Sequence, residues 1–93
     1  LQAISILVEL LGLIIDFQFM KEVTEKDIEK NIEQLKKYAW FQDYLKDDAR
    51  RQLIVQNKDV RHKIGKFKTK KLERESYNAR CHEKLEKVLS EKL

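Results

Sequence analysis

Apolar and polar positions recur at helical intervals along nearly the whole chain. In residues 1–20 the polar positions Gln2, Ser5, Glu9, Gly12 and Asp16 follow one another at spacings of 3, 4, 3 and 4. On a helix they form one narrow stripe, and Leu7, Leu11, Ile14 and their neighbours cover the rest of the circumference. The run has the length of a membrane span, about 20 residues. Its polar stripe opposes that reading. A lipid-embedded helix gains nothing by aligning its polar groups, and each carboxylate at a bilayer centre costs roughly 2.5–3.5 kcal/mol. The pattern predicts a helix over 1–20 that is buried on most sides with one edge in water. Periodicity alone also admits a short buried strand within it.

A second helix is predicted over 25–46. Thr24 suits the N-cap, and Asp27 three residues on completes a capping-box arrangement. Glu25 and Asp27 favour the positive end of the helix dipole. Ile28, Ile32, Leu35 and Ala39 then form a seam at spacings of 4, 3 and 4. Glu33 with Lys37, and Glu22 with Lys26, are i,i+4 supporting pairs. Towards the end of this helix Tyr38, Trp40, Phe41 and Tyr44 crowd together. Four aromatics so close cannot share one face, so apolar surface must wrap the helix there.

Asp47 or Asp48 can cap a third helix, predicted over 48–92. Leu53, Val60, Ile64 and Phe67 mark one face, and Tyr77, Cys81, Leu85 and Val88 mark another. The two stripes are offset by about 60° at the helical angular repeat. Either the helix is broken near Gly65, or it is continuous and changes neighbours there. Gly costs about 1 kcal/mol relative to Ala in a helix interior. The expected fold class is all-α, a single domain over 1–93. About three helices form an open bundle or a helical hairpin with a long C-terminal helix, completed by oligomerisation or by a partner.

Composition supports this architecture. There is no proline and there are only two glycines in 93 residues, too few for the tight turns of a sheet protein. Lys, Glu, Leu, Ala and Arg, which lose little freedom in a helix, are abundant. A chain this short buries only about 60–65% of its unfolded surface, so its stability margin is small. One cysteine, Cys81, excludes an intrachain disulfide and points to a reducing, intracellular compartment. The chain opens at Leu1, which suggests a fragment or a processed product, and residues 1–20 lack the features of a signal peptide.

Charge adds a regional feature. Net charge is +4. Residues 1–57 and 75–93 together hold twelve basic and fourteen acidic side chains, whereas 58–74 holds eight basic and two acidic. Those eight are Lys58, Arg61, Lys63, Lys66, Lys68, Lys70, Lys71 and Arg74. On a continuous helix Lys63, Lys66, Lys70 and Arg74 would share a face, and such an array can follow a phosphate backbone by counterion release. Only Phe67 interleaves with them, so a base-stacking platform is not indicated.

No enzyme signature is present: no phosphate-binding glycine loop, zinc-ligand spacing or nucleophile elbow. Cys81 and His82 diverge by about 100° on a helix and cannot pair. Cys81 sits on an apolar stripe, which suits a small buried hydrophobe. His62 and His82 read as solvated surface groups. Glu25, Glu29 and Glu33 line one wet face without further metal ligands. No catalytic residue, metal or cofactor is therefore expected. The leading function is a non-enzymatic helical protein–protein interaction or oligomerisation module. Its anchors are Leu7, Leu11, Ile14, Ile32, Leu35, Tyr38, Trp40, Phe41 and Tyr44, and its partner is a second copy or another protein. The second reading is nucleic-acid binding through 58–74. The third is a membrane-surface role for the first helix, which leaves the seam and capped start of the second unexplained.

Overall fold

The capping box at Thr24 opens the region described by the computed structural model, residues 22–93. The helix expected over 1–20, with Leu7, Leu11 and Ile14, lies outside the described residues. The Thr24 backbone N–H donates to Asp27 Oδ2 and the Asp27 N–H to Thr24 Oγ1, both at 3.1 Å. Two of the unpaired donors of a helix N-terminus are thereby satisfied. The helix that follows, α1, spans Glu25–Leu35.

Among the described residues there are five α-helices and no strand. After α1 come α2 (Ala39–Lys46), α3 (Asp48–Gln56), α4 (Lys58–Gly65), a 3₁₀ turn (Thr69–Lys71) and α5 (Glu75–Lys92). The all-helical expectation stands, but the long helices do not. The predicted helix 25–46 is two helices, and the predicted helix 48–92 is three.

Each break has a local cause. Between α1 and α2 the chain turns at Lys36 and becomes extended at Tyr38 (φ −106°, ψ 135°). Gln42 folds back to donate its amide N–H to the freed Lys36 carbonyl at 2.7 Å. The turn resolves the aromatic crowding, because the new helix direction buries Phe41 and Tyr44. Two predicted features change with it. Ala39 leaves the Ile28–Ile32–Leu35 seam and is exposed, and Glu33 pairs with Lys36 at 3.1 Å rather than with Lys37.

Asp47 and Asn57 make corners of a second type. Each is a single extended residue that ends one helix and caps the next. The Asp47 carboxylate accepts from the Arg50 N–H at 3.0 Å, and Asn57 Oδ1 accepts from the N–H groups of Asp59 and Val60 at 3.0 and 3.1 Å. Neither corner needs a positive φ, so neither needs glycine.

Gly65 does end a helix, as the first of the two readings holds, and its reason is close packing. A Cβ at that position would fall 2.0 Å from Val23 Cγ1 and 3.0 Å from Ile28 Cγ1. The bare backbone admits the start of the described chain against the end of α4. α1 packs chiefly on α4, α3 on α2 and α4, and α5 on α4 and α3. Both predicted stripes face the resulting core: Val60, Ile64 and Phe67 from one, Cys81, Leu85 and Val88 from the other.

One core side chain is polar. Asn31 donates from Nδ2 to the carbonyls of Ile64 (2.8 Å) and Phe67 (3.0 Å), and its Oδ1 accepts from Thr69 Oγ1 (3.3 Å). It thus ties α1 to the end of α4 and to the connection that follows it.

Candidate functional site

The predicted anchors divide into three groups. Leu7, Leu11 and Ile14 lie outside the described residues. Leu35 and Phe41 are fully buried and Tyr44 nearly so. Ile32, Tyr38 and Trp40 are half-buried against the same core.

The aromatic cluster is held by α5. Asn78, His82 and Glu86 recur every four residues on one face of that helix. The Trp40 indole N–H donates to Asn78 Oδ1 at 2.8 Å, and the Asn78 amide donates on to the Leu72 carbonyl at 3.1 Å. His82 stacks on Trp40, with ring centroids 4.6 Å apart and planes 11° from parallel. The imidazole is thus a half-buried packing partner, unlike the solvated group the sequence suggests. The Tyr44 hydroxyl donates to Glu86. Burial, with the Glu86 carboxylate beside it, pushes the Tyr44 phenol well above its ordinary value of 10.0. The polar tips of Trp40 and Tyr44 both have partners on α5, so the cluster reads as the end of the domain core. Beside it a shallow groove of about 360 Å³ runs between Tyr38, Leu72 and the start of α5.

The basic segment is rearranged. Because α4 stops at Gly65, Lys63 alone of Lys63, Lys66, Lys70 and Arg74 lies within it, and the predicted four-residue stripe does not exist. Lys58 is exposed at the start of α4. Arg61 is a structural residue. Its guanidinium donates to the carbonyls of Ile54 (3.0 Å) and Val55 (3.2 Å) at the end of α3 and to Glu25 at 2.6 Å. Lys68, Lys70, Lys71 and Arg74 are exposed on the connection to α5. That connection is pinned by buried Phe67 and Leu72, by the Thr69–Asn31 bond, and by the Lys68 N–H donating to the Tyr77 hydroxyl at 2.7 Å.

Lys63 and Lys66 instead face α5. With Lys84 and Lys87 they line an open groove of about 560 Å³ between α4 and α5, together with Asp59, His62, Val88 and Glu91. Asp59 is already paired with Lys92 at 2.6 Å, and that hydrogen bond holds its carboxyl below the ordinary value of 3.8. The α5 lysines, at positions 84 and 87, lie beyond the basic segment 58–74 and show no unusual density in the sequence. Only the packing of α5 on α4 brings them to it.

Cys81 is buried, and its burial raises the thiol above its ordinary value of 9.0, away from the reactive thiolate. Among the described residues no group of three His, Cys, Asp or Glu side chains converges as metal ligands would. Glu25 and Glu33 are engaged with Arg61 and Lys36 respectively. No helix among the described residues is long and apolar enough to cross a membrane. No protein-family model matches the chain, and neither a characterised protein nor a solved structure is significantly similar to it.

Proposed function

We propose that the chain is a helical protein–protein interaction module, with the apolar segment 1–20 as its docking element and a second copy of the chain as its partner. The observation that carries this reading is the self-sufficiency of the core over Val23 to Leu89. Helices α1 to α5 meet around one apolar cluster. Among the described residues only Val55 and Leu93 are large apolar side chains left exposed. Every buried side-chain polar atom there has a partner. Leu35, Phe41 and Tyr44 are consumed by that core, so the docking role passes from the aromatic cluster to Leu7, Leu11 and Ile14. A segment apolar on most sides needs several neighbours, and large apolar patches mark association surfaces.

The test is sedimentation equilibrium of the chain beside a variant carrying Leu7→Ser, Leu11→Ser and Ile14→Ser. The chain is expected to self-associate, with little sensitivity to moderate salt because the interface is apolar. The variant is expected to sediment as a monomer while keeping the far-UV helical signal of α1 to α5. A chain that stays monomeric throughout the accessible concentration range contradicts the proposal.

A further inference from the structure

We propose that the groove between α4 and α5 binds the phosphate backbone of a single nucleic-acid strand, without reading its bases. The groove brings two pairs of lysines together, Lys63 of α4 with Lys66 just past its end, and Lys84 with Lys87 of α5. All four are exposed, and none forms an ion pair with a described carboxylate. Of the two acidic residues on the rim, Asp59 is neutralised by Lys92, so Glu91 alone offsets the four cations.

The cationic surface also continues beyond the groove. Lys66 begins the pinned connection that presents Lys68, Lys70, Lys71 and Arg74 to solvent. A fixed track of this kind suits a polymer of repeating negative charge better than one small anion, because each neutralised phosphate releases counterions. The volume of the groove, about 560 Å³, is that of a small-molecule cleft, which admits a few nucleotides of one strand and not the width of a duplex. Val88 is the single apolar residue of the lining, and the His62 imidazole is its one ring. One imidazole makes no stacking platform, so binding follows charge and not sequence. An acidic protein segment would also meet the lysines, and its binding is an outcome that the experiment separates.

The experiment is fluorescence anisotropy of a labelled oligothymidine of roughly 16 nucleotides. Each neutralised phosphate of a single strand contributes about 0.7 to the fall of log affinity with log salt. Four lysines should then weaken binding roughly fifty-fold over a fourfold rise in salt. The double variant Lys84→Glu, Lys87→Glu lies outside the basic segment and is expected to lose roughly tenfold or more in affinity at low salt and to show a flatter salt dependence. A control, Lys30→Glu with Lys37→Glu, changes net charge equally away from the groove and should bind nearly as the parent does. Lys84→Gln with Lys87→Gln supplies a gentler variant if charge reversal disturbs α5, and circular dichroism checks folding in each. Four results overturn the proposal: no binding at low salt, equal loss in groove and control variants, tighter binding of a duplex than of the strand, or equal binding of polyglutamate. None depends on the oligomeric state, so the groove and the apolar segment stand or fall separately.

Discussion

Asn31 holds the carbonyls of Ile64 and Phe67 with one amide, and it is buried in the core. Replacing it with Leu keeps the branched shape and removes both donors. The Phe67 carbonyl then loses its partner, at about 1–3 kcal/mol for an unsatisfied group, while the Ile64 carbonyl keeps the Phe67 N–H at 3.1 Å. Asn31→Leu is expected to lower stability by about 2 kcal/mol in urea unfolding, and Thr69→Val, which removes only the longer bond, by well under 1 kcal/mol. Equal midpoints for Asn31→Leu and the parent would show that the bonds contribute nothing net. Gly65 is the other position where one residue decides local packing. Alanine would gain up to about 1 kcal/mol in helix propensity. Its methyl, however, would meet Val23 at 2.0 Å, and overpacking costs typically 1–3 kcal/mol. Net destabilisation of Gly65→Ala is therefore expected, whereas a stabilised variant would mean that Val23 yields freely. Asn31 lies three residues after Ile28 and four before Leu35, on the seam side of α1, where spacing marks burial but names no partner. Its partners lie more than thirty residues away and leave no trace in its local pattern.

At the scale of elements, the readable boundaries are those whose chemistry is local. Thr24 and Asp47 carry their capping partners within three residues, and both caps form. The break at Lys36–Tyr38 has no such mark. It lacks glycine and proline, the helix formers around it favour continuation, and what bends the chain is the burial of Phe41 and Tyr44 in a core assembled from distant helices. Asn57 was available as a cap signal, but it falls inside an apolar pattern that reads well as one helix. Two carboxylates at these corners give stability a pH dependence of definite sign. Asp47 is held below its ordinary value by the Arg50 backbone N–H and then by the Arg50 guanidinium, and Asp59 by its hydrogen bond from Lys92. A depressed carboxyl pKa stabilises the fold above its unfolded value, and that contribution is lost as pH falls through the lower folded value. Replacing both by asparagine keeps acceptor oxygens and removes only the charges. The double variant is expected to melt below the parent at neutral pH. The difference should close between about pH 5 and pH 2, followed by thermal melts across that range. A gap that stays constant with pH would place the effect in geometry and not in charge.

At the scale of the whole molecule, the described cations divide into engaged and exposed groups that composition cannot separate. Arg61 belongs to the densest basic stretch of the sequence, yet its side chain is only 18% exposed and it joins three helices. It pairs with Glu25 at the start of α1, closes the last carbonyls of α3, and is itself part of α4. Lysine cannot reproduce this, because a single ammonium lacks the planar fork that reaches a carboxylate and two carbonyls together. Hydrogen bonds involving a charged group contribute about 1.5–3 kcal/mol, less where solvent screens them as it does at Glu25. Arg61→Lys is therefore expected to lower stability by about 1–2 kcal/mol, and Lys63→Ala or Lys66→Ala, which remove exposed cations, by less than about 0.5 kcal/mol. Oligonucleotide binding should reverse the order. Loss of Lys63 or Lys66 weakens it and flattens its salt dependence, while Arg61→Lys keeps both the charge and the affinity. Guanidinium chloride would screen the ion pair under study, so urea is the denaturant that reads this cleanly. If Arg61→Lys proves as stable as the parent but defective in binding, the guanidinium faces the ligand and not the α3 carbonyls. The assignment of structural and functional cations would then have to be exchanged.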